Sequence, residues 1–204
     1  GFLEPERIVP LFGLKIGDHA ADFGAGHGYF TLPLARAVGR EGKVWAIDVQ
    51  TGTLDIIRSQ ARTQHLLNIA YVHADLEEPG ASGITERFVD FVIMANILFQ
   101  AERKDALLRE AWRILQTGGR LAMIEWDIPL PILPALCSTS QPGQSPTSDV
   151  LQSSRNFGSG TLGPPREVRI KKDMARALAS QSGFELDREF SAGPHHYGLL
   201  FVKR

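Results

Sequence analysis

Apolar positions along this chain follow two spacings. Short continuous runs of strand length alternate with segments whose apolar residues recur every three or four positions, the signature of a half-buried helix. The first run is His19-Ala20-Ala21-Asp22-Phe23. It passes through a glycine cluster into the apolar stretch 30–38, which Gly39 ends as a helix C-cap does. Lys43-Val44-Trp45-Ala46-Ile47-Asp48 is the second run, followed by helical spacing from Leu54 to Gln64; residues 69–74 form the third, ending at Asp75. Phe88 to Ala95 is almost continuously apolar, as expected of a central strand covered on both faces.

Leu107, Leu108, Ala111, Ile114 and Leu115 then repeat at helical spacing, Thr117-Gly118-Gly119 is expected to close that helix, and Arg120 to Glu125 supplies a fifth strand. This alternation predicts an α/β, Rossmann-like, doubly wound sheet with right-handed crossovers. From Pro129 to about Pro165 the character changes to a stretch rich in Pro, Ser, Gly and Gln. So long an insertion is either a functional lid or disordered chain, and both readings stay open. Regular structure is expected to resume with a helix near 172–182, capped by Gly183, and then with Phe184 to Phe190 and Tyr197 to Val202 as a hairpin about the turn at 191–194. No internal repeat appears.

Composition narrows the picture little but usefully. With 204 residues, 43% hydrophobic and 22% charged, the chain reads as one soluble globular domain, 1–204. Lys and Arg total 22 against 23 Asp and Glu, a net charge of −1, so no basic excess points to nucleic acid. Cys137 is the single cysteine, which excludes an intrachain disulfide and a multi-cysteine zinc site and fits a reducing, cytoplasmic setting. No run is long enough to span a membrane and no basic-then-apolar leader opens the chain, although it starts at Gly1 without an initiator methionine, which leaves native sequence upstream open. The six histidines form no helical pair with a supporting carboxylate, so no metal is expected.

The chemistry begins at Asp22-Phe23-Gly24-Ala25-Gly26-His27-Gly28-Tyr29. Glycines at 24, 26 and 28 permit positive φ and close approach of a ligand at a helix mouth, although an ordinary glycine turn has the same spacing. Context sharpens it. Asp48 stands 24 positions past Gly24 at the end of the next strand, from which a carboxylate can accept two ribose hydroxyls. Asp75 ends the third strand and suits an adenine amino group, or is a plain turn aspartate. A dinucleotide site prefers Gly or Ala where this chain has Tyr29, and Asp22 would repel a diphosphate while suiting an ammonium group. A cationic, amino-acid-bearing nucleoside fits better than NAD.

With these residues together, the sequence resembles the class I S-adenosylmethionine-dependent methyltransferases, in particular the ubiquinone/menaquinone-biosynthesis-like small-molecule group. The resemblance rests on Asp22 to Gly28, Val44 to Asp48, Ala74-Asp75-Leu76, Phe91 to Asn96, and Leu108-Arg109-Glu110 through Gly118-Gly119-Arg120-Leu121. It implies S-adenosyl-L-methionine as cofactor and a seven-stranded, mostly parallel sheet whose last strand runs antiparallel between the fifth and sixth. It further implies that Gly24, Gly26 and Gly28, with Ala25 and Tyr29 of the same loop, pass under the methionine moiety and ribose. Asp22 is expected near the amino end, Asp48 with Val49 at the ribose, Asp75 with Leu76 at the adenine, and Asn96 beside the methionine portion.

Methyl transfer from a sulfonium is an in-line displacement, so the protein mainly orients, excludes water and, where needed, takes a proton. Residues at the carboxyl ends of the strands are the candidates: Asn96, Ile97 and Phe99, then Glu125, Trp126 and Asp127. His195 and His196 are expected to begin the last strand at the same mouth, where only one of the pair can face a substrate; a turn-end histidine bonded to backbone is the plainer reading of each. His27 reads as a packing or solvent residue, and Trp126 as core rather than as a cover for the site. The paired histidines common after the fourth strand in this group are absent from Asn96-Ile97-Leu98-Phe99-Gln100, and one cysteine argues against arsenite methylation. A small-molecule methyltransferase is the leading expectation. An S-adenosylmethionine-binding module without turnover and a nicotinamide-dependent oxidoreductase are its competitors.

Overall fold

The computed structural model describes residues 3–128 and 163–204. Most of the expected insertion, all but 163–165, therefore lies outside the described residues. Seven strands, β1 His19–Phe23, β2 Lys43–Asp48, β3 Ile69–His73, β4 Val89–Ala95, β5 Leu115–Trp126, β6 Phe184–Ser191 and β7 His196–Lys203, form one sheet. Their order is β3-β2-β1-β4-β5-β7-β6. β1 to β5 pair in parallel, and β7 lies antiparallel between β5 and β6. The expected doubly wound sheet with an antiparallel last strand is thus the observed one.

The helices are α1 Pro5–Ile8, α2 Thr31–Val38, α3 Thr51–Thr63, α4 Lys104–Ile114 and α5 Lys172–Gln181. Alternation along the strands sends residues to two cores. Val92, Met94, Leu121, Met123, Leu199 and Phe201 meet the apolar stripe of α4 and α5, while Phe91, Ile93, Ala122, Ile124 and Leu200 meet α2 and the N-terminal segment. A smaller cluster seats Leu54, Ile57 and Ala61 of α3 on Ala46. Because β2 and β4 both pair with β1 and the chain winds outward in opposite directions from there, a crevice opens at the carboxyl ends of β1 and β4.

Three boundaries depart from expectation. The helix before β5 stops at Ile114, and Thr117-Gly118-Gly119 lies within the strand, where the register against β4 shifts between Val89 and Phe91. The cause is remote in sequence: the buried Lys203 ammonium donates to the carbonyls of Trp112 and Leu115 at 2.5 and 2.6 Å, taking up the open helix end. His196 starts β7 and His195 precedes it, so His195 is not a strand residue. At the N-terminus, α1 and the 3-10 turn Val9–Phe12 were not foreseen; two short elements seat Ile8, Val9 and Phe12 on the sheet, with Phe12 at 4.8 Å from Phe91. Among the described residues no helix is long and apolar enough to cross a membrane.

Candidate functional site

The crevice forms a cleft of about 510 Å³. Four strand ends supply its walls: Gly24, Gly26 and His27 after β1, Asp48, Val49 and Gln50 after β2, Asp75, Leu76 and Glu77 after β3, and Asn96, Ile97 and Gln100 after β4. The glycine loop is fastened to the neighbouring strand, since the amides of Gly24 and Ala25 both donate to the Ile47 carbonyl at 2.9 and 3.0 Å. Gly24 holds φ at +71°, and a Cβ there would stand 2.5 Å from Ile97 Cδ1. Glycine is therefore required at 24 both by backbone conformation and by the wall opposite.

Asp48 is oriented by backbone on both sides: Oδ2 accepts the Gly26 amide and Oδ1 the Gln50 amide, each at 2.8 Å. Each carboxylate oxygen keeps a further lone pair for a ligand. Asp75 is held in the same way, with Oδ1 accepting the Glu77 amide at 2.9 Å. Glu77 in turn accepts the amides of Glu102 and Arg103 at 3.0 and 2.6 Å, tying the β3 rim to the start of α4. Asn96 occupies the left-handed region at φ +57°, and its buried Oδ1 has no hydrogen-bond partner. A buried acceptor without a partner is costly and calls for a donor from a ligand or water. Among the described residues, no lysine or arginine lines the cleft. Its rim is thus rich in acceptors and poor in cations, which suits a ligand bearing hydroxyls and amino groups and not a diphosphate.

Of the expected cofactor residues, Gly24, Gly26, Asp48, Val49, Asp75, Leu76 and Asn96 come together here. Four do not. Asp22 is buried beneath the loop, where its Oδ2 accepts the Thr31 hydroxyl at 2.6 Å. Burial raises its carboxyl to about 7, the Asp48 charge adds to the rise, and the Thr31 hydroxyl opposes it. Tyr29 turns outward and donates its hydroxyl to the Leu3 carbonyl. The space a Cβ would occupy at Gly28 belongs to Ile57 of α3, at 3.0 Å, so this glycine serves helix packing. Ala25 is buried among the side chains under α3.

None of the four acid–base candidates lines the cleft. Glu125 is 1% exposed, and its Oε1 accepts the Leu98 amide at 2.7 Å. Asp127 Oδ1 accepts the Ile128 amide at the surface, and the Asp127 amide donates to the His195 carbonyl. His196 is buried against Trp126, ring centroids 4.2 Å apart, with both ring nitrogens unpartnered. Burial first, then His195 and Arg169, lower its value to about 4, leaving a neutral imidazole at pH 7. His27, read as a packing or solvent residue, does line the cleft, as do Gln50, Thr53, Glu77 and Gln100, which sequence reasoning passed over. The signal was available: each stands within a few residues of a strand's carboxyl end.

A family model described as a methyltransferase domain matches residues 20–119, from the start of β1 into β5. The chain is 30% identical over 123 residues to the ubiquinone/menaquinone biosynthesis C-methyltransferase UbiE of Vibrio vulnificus, which covers 60% of this chain and 46% of that protein. The matched part of the chain is thus similar to methyltransferase domains in both comparisons. It spans about half the length of the curated relatives it matches. In fold, the chain is similar to a SAM-dependent methyltransferase from Aquifex aeolicus, at a TM-score of 0.76 and 22% identity over 100% of this chain and 91% of that one. It is also similar to the cyclase SpnF, at a TM-score of 0.69 and 15% identity over 97% and 80%. The family match takes in all four loops that wall the cleft and stops before Glu125, Asp127 and His196.

Proposed function

We propose that this protein binds S-adenosyl-L-methionine in the cleft and transfers its methyl group to a small-molecule acceptor. When bound, the sulfonium supplies an electrophilic methyl carbon, and its sulfur keeps the electron pair of the broken bond. Asp48 accepts the two ribose hydroxyls, Asp75 and the Leu76 amide hold the adenine edge, and Asn96 Oδ1 accepts from the ammonium of the methionine portion. The glycine loop contributes backbone and no side chain, so the ligand lies against it. The observation that carries this reading is the acceptor-rich rim, without Lys or Arg among the described residues, with Asp48 already oriented at 2.8 Å by two amides. It speaks against the nicotinamide reading, whose diphosphate would meet carboxylates.

Titration calorimetry with S-adenosylhomocysteine is expected to give a dissociation constant in the micromolar range. Asp48→Ala should weaken binding at least about tenfold, the loss of charge-assisted hydrogen bonds. No heat at millimolar ligand would overturn the proposal. For the acceptor, the relatives' names put quinols first in a panel with phenols and amines, read out as S-adenosylhomocysteine release. A second reading, binding without methyl transfer, is favoured by one observation: none of Glu125, Asp127, His195 and His196 lines the cleft. It predicts cofactor binding with no release across the panel.

A further inference from the structure

Among the described residues, Glu125 Oε2 is one of four buried side-chain polar atoms that lack a hydrogen-bond partner. Its place explains what it does there. Glu125 sits on β5 level with Tyr197 of β7, and Asn96 follows β4 beside it, its amide bonded to the Ile124 carbonyl at 2.8 Å. Its Oε1 accepts the Leu98 amide, and the neighbouring amides of Ile97 and Phe99 also point their dipoles at the carboxyl. These three amides open a single helical turn, closed by bonds from Gln100 and Ala101 back to the Ile97 carbonyl. The same turn presents Ile97 to Gly24, where the glycine loop has no room for a Cβ.

We propose that Glu125 is a positioning residue: through the Leu98 amide it holds the 97–101 turn against the glycine loop, and so sets the cleft for the cofactor. The proposal rests on the cofactor reading above for its functional half and on the Glu125–Leu98 hydrogen bond for the other. The groups facing Glu125 are few. Lys104 of α4 contributes a positive charge while its ammonium donates to the Ala101 carbonyl at 2.6 Å, and Tyr197 of β7 donates its hydroxyl to Ile170. Asp127 lies two positions further along the chain. Burial holds the Glu125 carboxyl up to about 8, with the three amides and Lys104 opposing. A turn that opens would hydrate this group and release its proton, so rising pH favours the open turn and weaker binding.

Two variants and two readouts test it. Glu125→Gln keeps an acceptor for Leu98 and cannot ionise; Glu125→Ala removes the acceptor. S-adenosylhomocysteine affinity is measured by calorimetry at several values between pH 6 and 9, and amide hydrogen exchange is followed at residues 97–101. The ratio of wild-type to Gln dissociation constants cancels the titration of the ligand and of Asp22. It is expected to rise several-fold across that range as Glu125 ionises. In Glu125→Ala the Leu98 amide should exchange at least about tenfold faster, and affinity should fall by a similar factor. A pH-independent ratio, or wild-type exchange and affinity in the Ala variant, overturns the proposal. If wild type binds no S-adenosylhomocysteine at all, the cofactor reading fails, and the exchange measurement still decides whether Glu125 holds the turn.

Discussion

Asp22 shows what a residue's neighbours do to a reading based on its position. Two places before the first glycine it was expected near a ligand's amino end; its carboxyl is buried and accepts the Thr31 hydroxyl, and burial, with the Asp48 charge, raises it against that hydrogen bond. The sign of the consequence is fixed. A carboxyl raised from 3.8 to about 7 gives the folded state more bound protons than the unfolded one between those values. Its contribution to stability is complete below about pH 4 and is lost as pH rises through 7. Asp22→Asn, which keeps an acceptor for Thr31, should therefore melt above wild type at pH 8, with the difference closing toward pH 4. Melting curves in steps of pH check this, and a difference that does not change with pH would show that burial is not the cause. The same scale marks the limit of the sequence. Asp48 and Asp75 were legible because strand ends fix where their backbone lies, whereas the partners of Asp22, Tyr29 and Glu125 are Thr31, Leu3 and Leu98, which no spacing rule brings together.

At the scale of elements, strands were more legible than helix ends. An apolar run such as Val89–Ala95 can only be covered on both faces, so it announces a central strand. The end of α4 depends instead on a lysine 89 positions past Ile114, and the glycines that seemed to mark it lie within β5. Pro5–Ile8 and Val9–Phe12 escaped because four residues are too few to show a helical period. Their order comes from burial of Ile8, Val9 and Phe12. Lys203→Met leaves the buried carbonyls of Trp112 and Leu115 without their donor, at a cost of about 1–3 kcal/mol. The expected fall in melting temperature is about 2–10 °C for a protein of this size. An unchanged melting temperature would mean that the ammonium does not close the helix.

For the whole molecule, cofactor and fold are linked because four loops meet only when β1 to β4 are in register. A ligand that binds only the folded state stabilises it by about 2.7 kcal/mol at one hundred times its dissociation constant. S-adenosylhomocysteine should raise the melting temperature accordingly, by about 5–10 °C. Asp48→Ala should need proportionally more ligand for the same rise, and NADH at matching concentration should give none. A thermal-shift titration checks all three, and a rise with NADH equal to that with S-adenosylhomocysteine would return the dinucleotide reading.

The position of β7 bears on how the protein is made. Residues 196–203 lie between β5 and β6 and join them, although both precede it in the chain. During synthesis the edge of β5 that pairs with β7 therefore waits until residues 196–203 have left the ribosome. The cleft, built from the ends of β1 to β4, is complete in sequence long before that. Loss of residues 196–203 would expose two sticky strand edges at once while leaving every cleft residue in the chain. Vulnerability to truncation is thus concentrated in a strand that lines no part of the cleft.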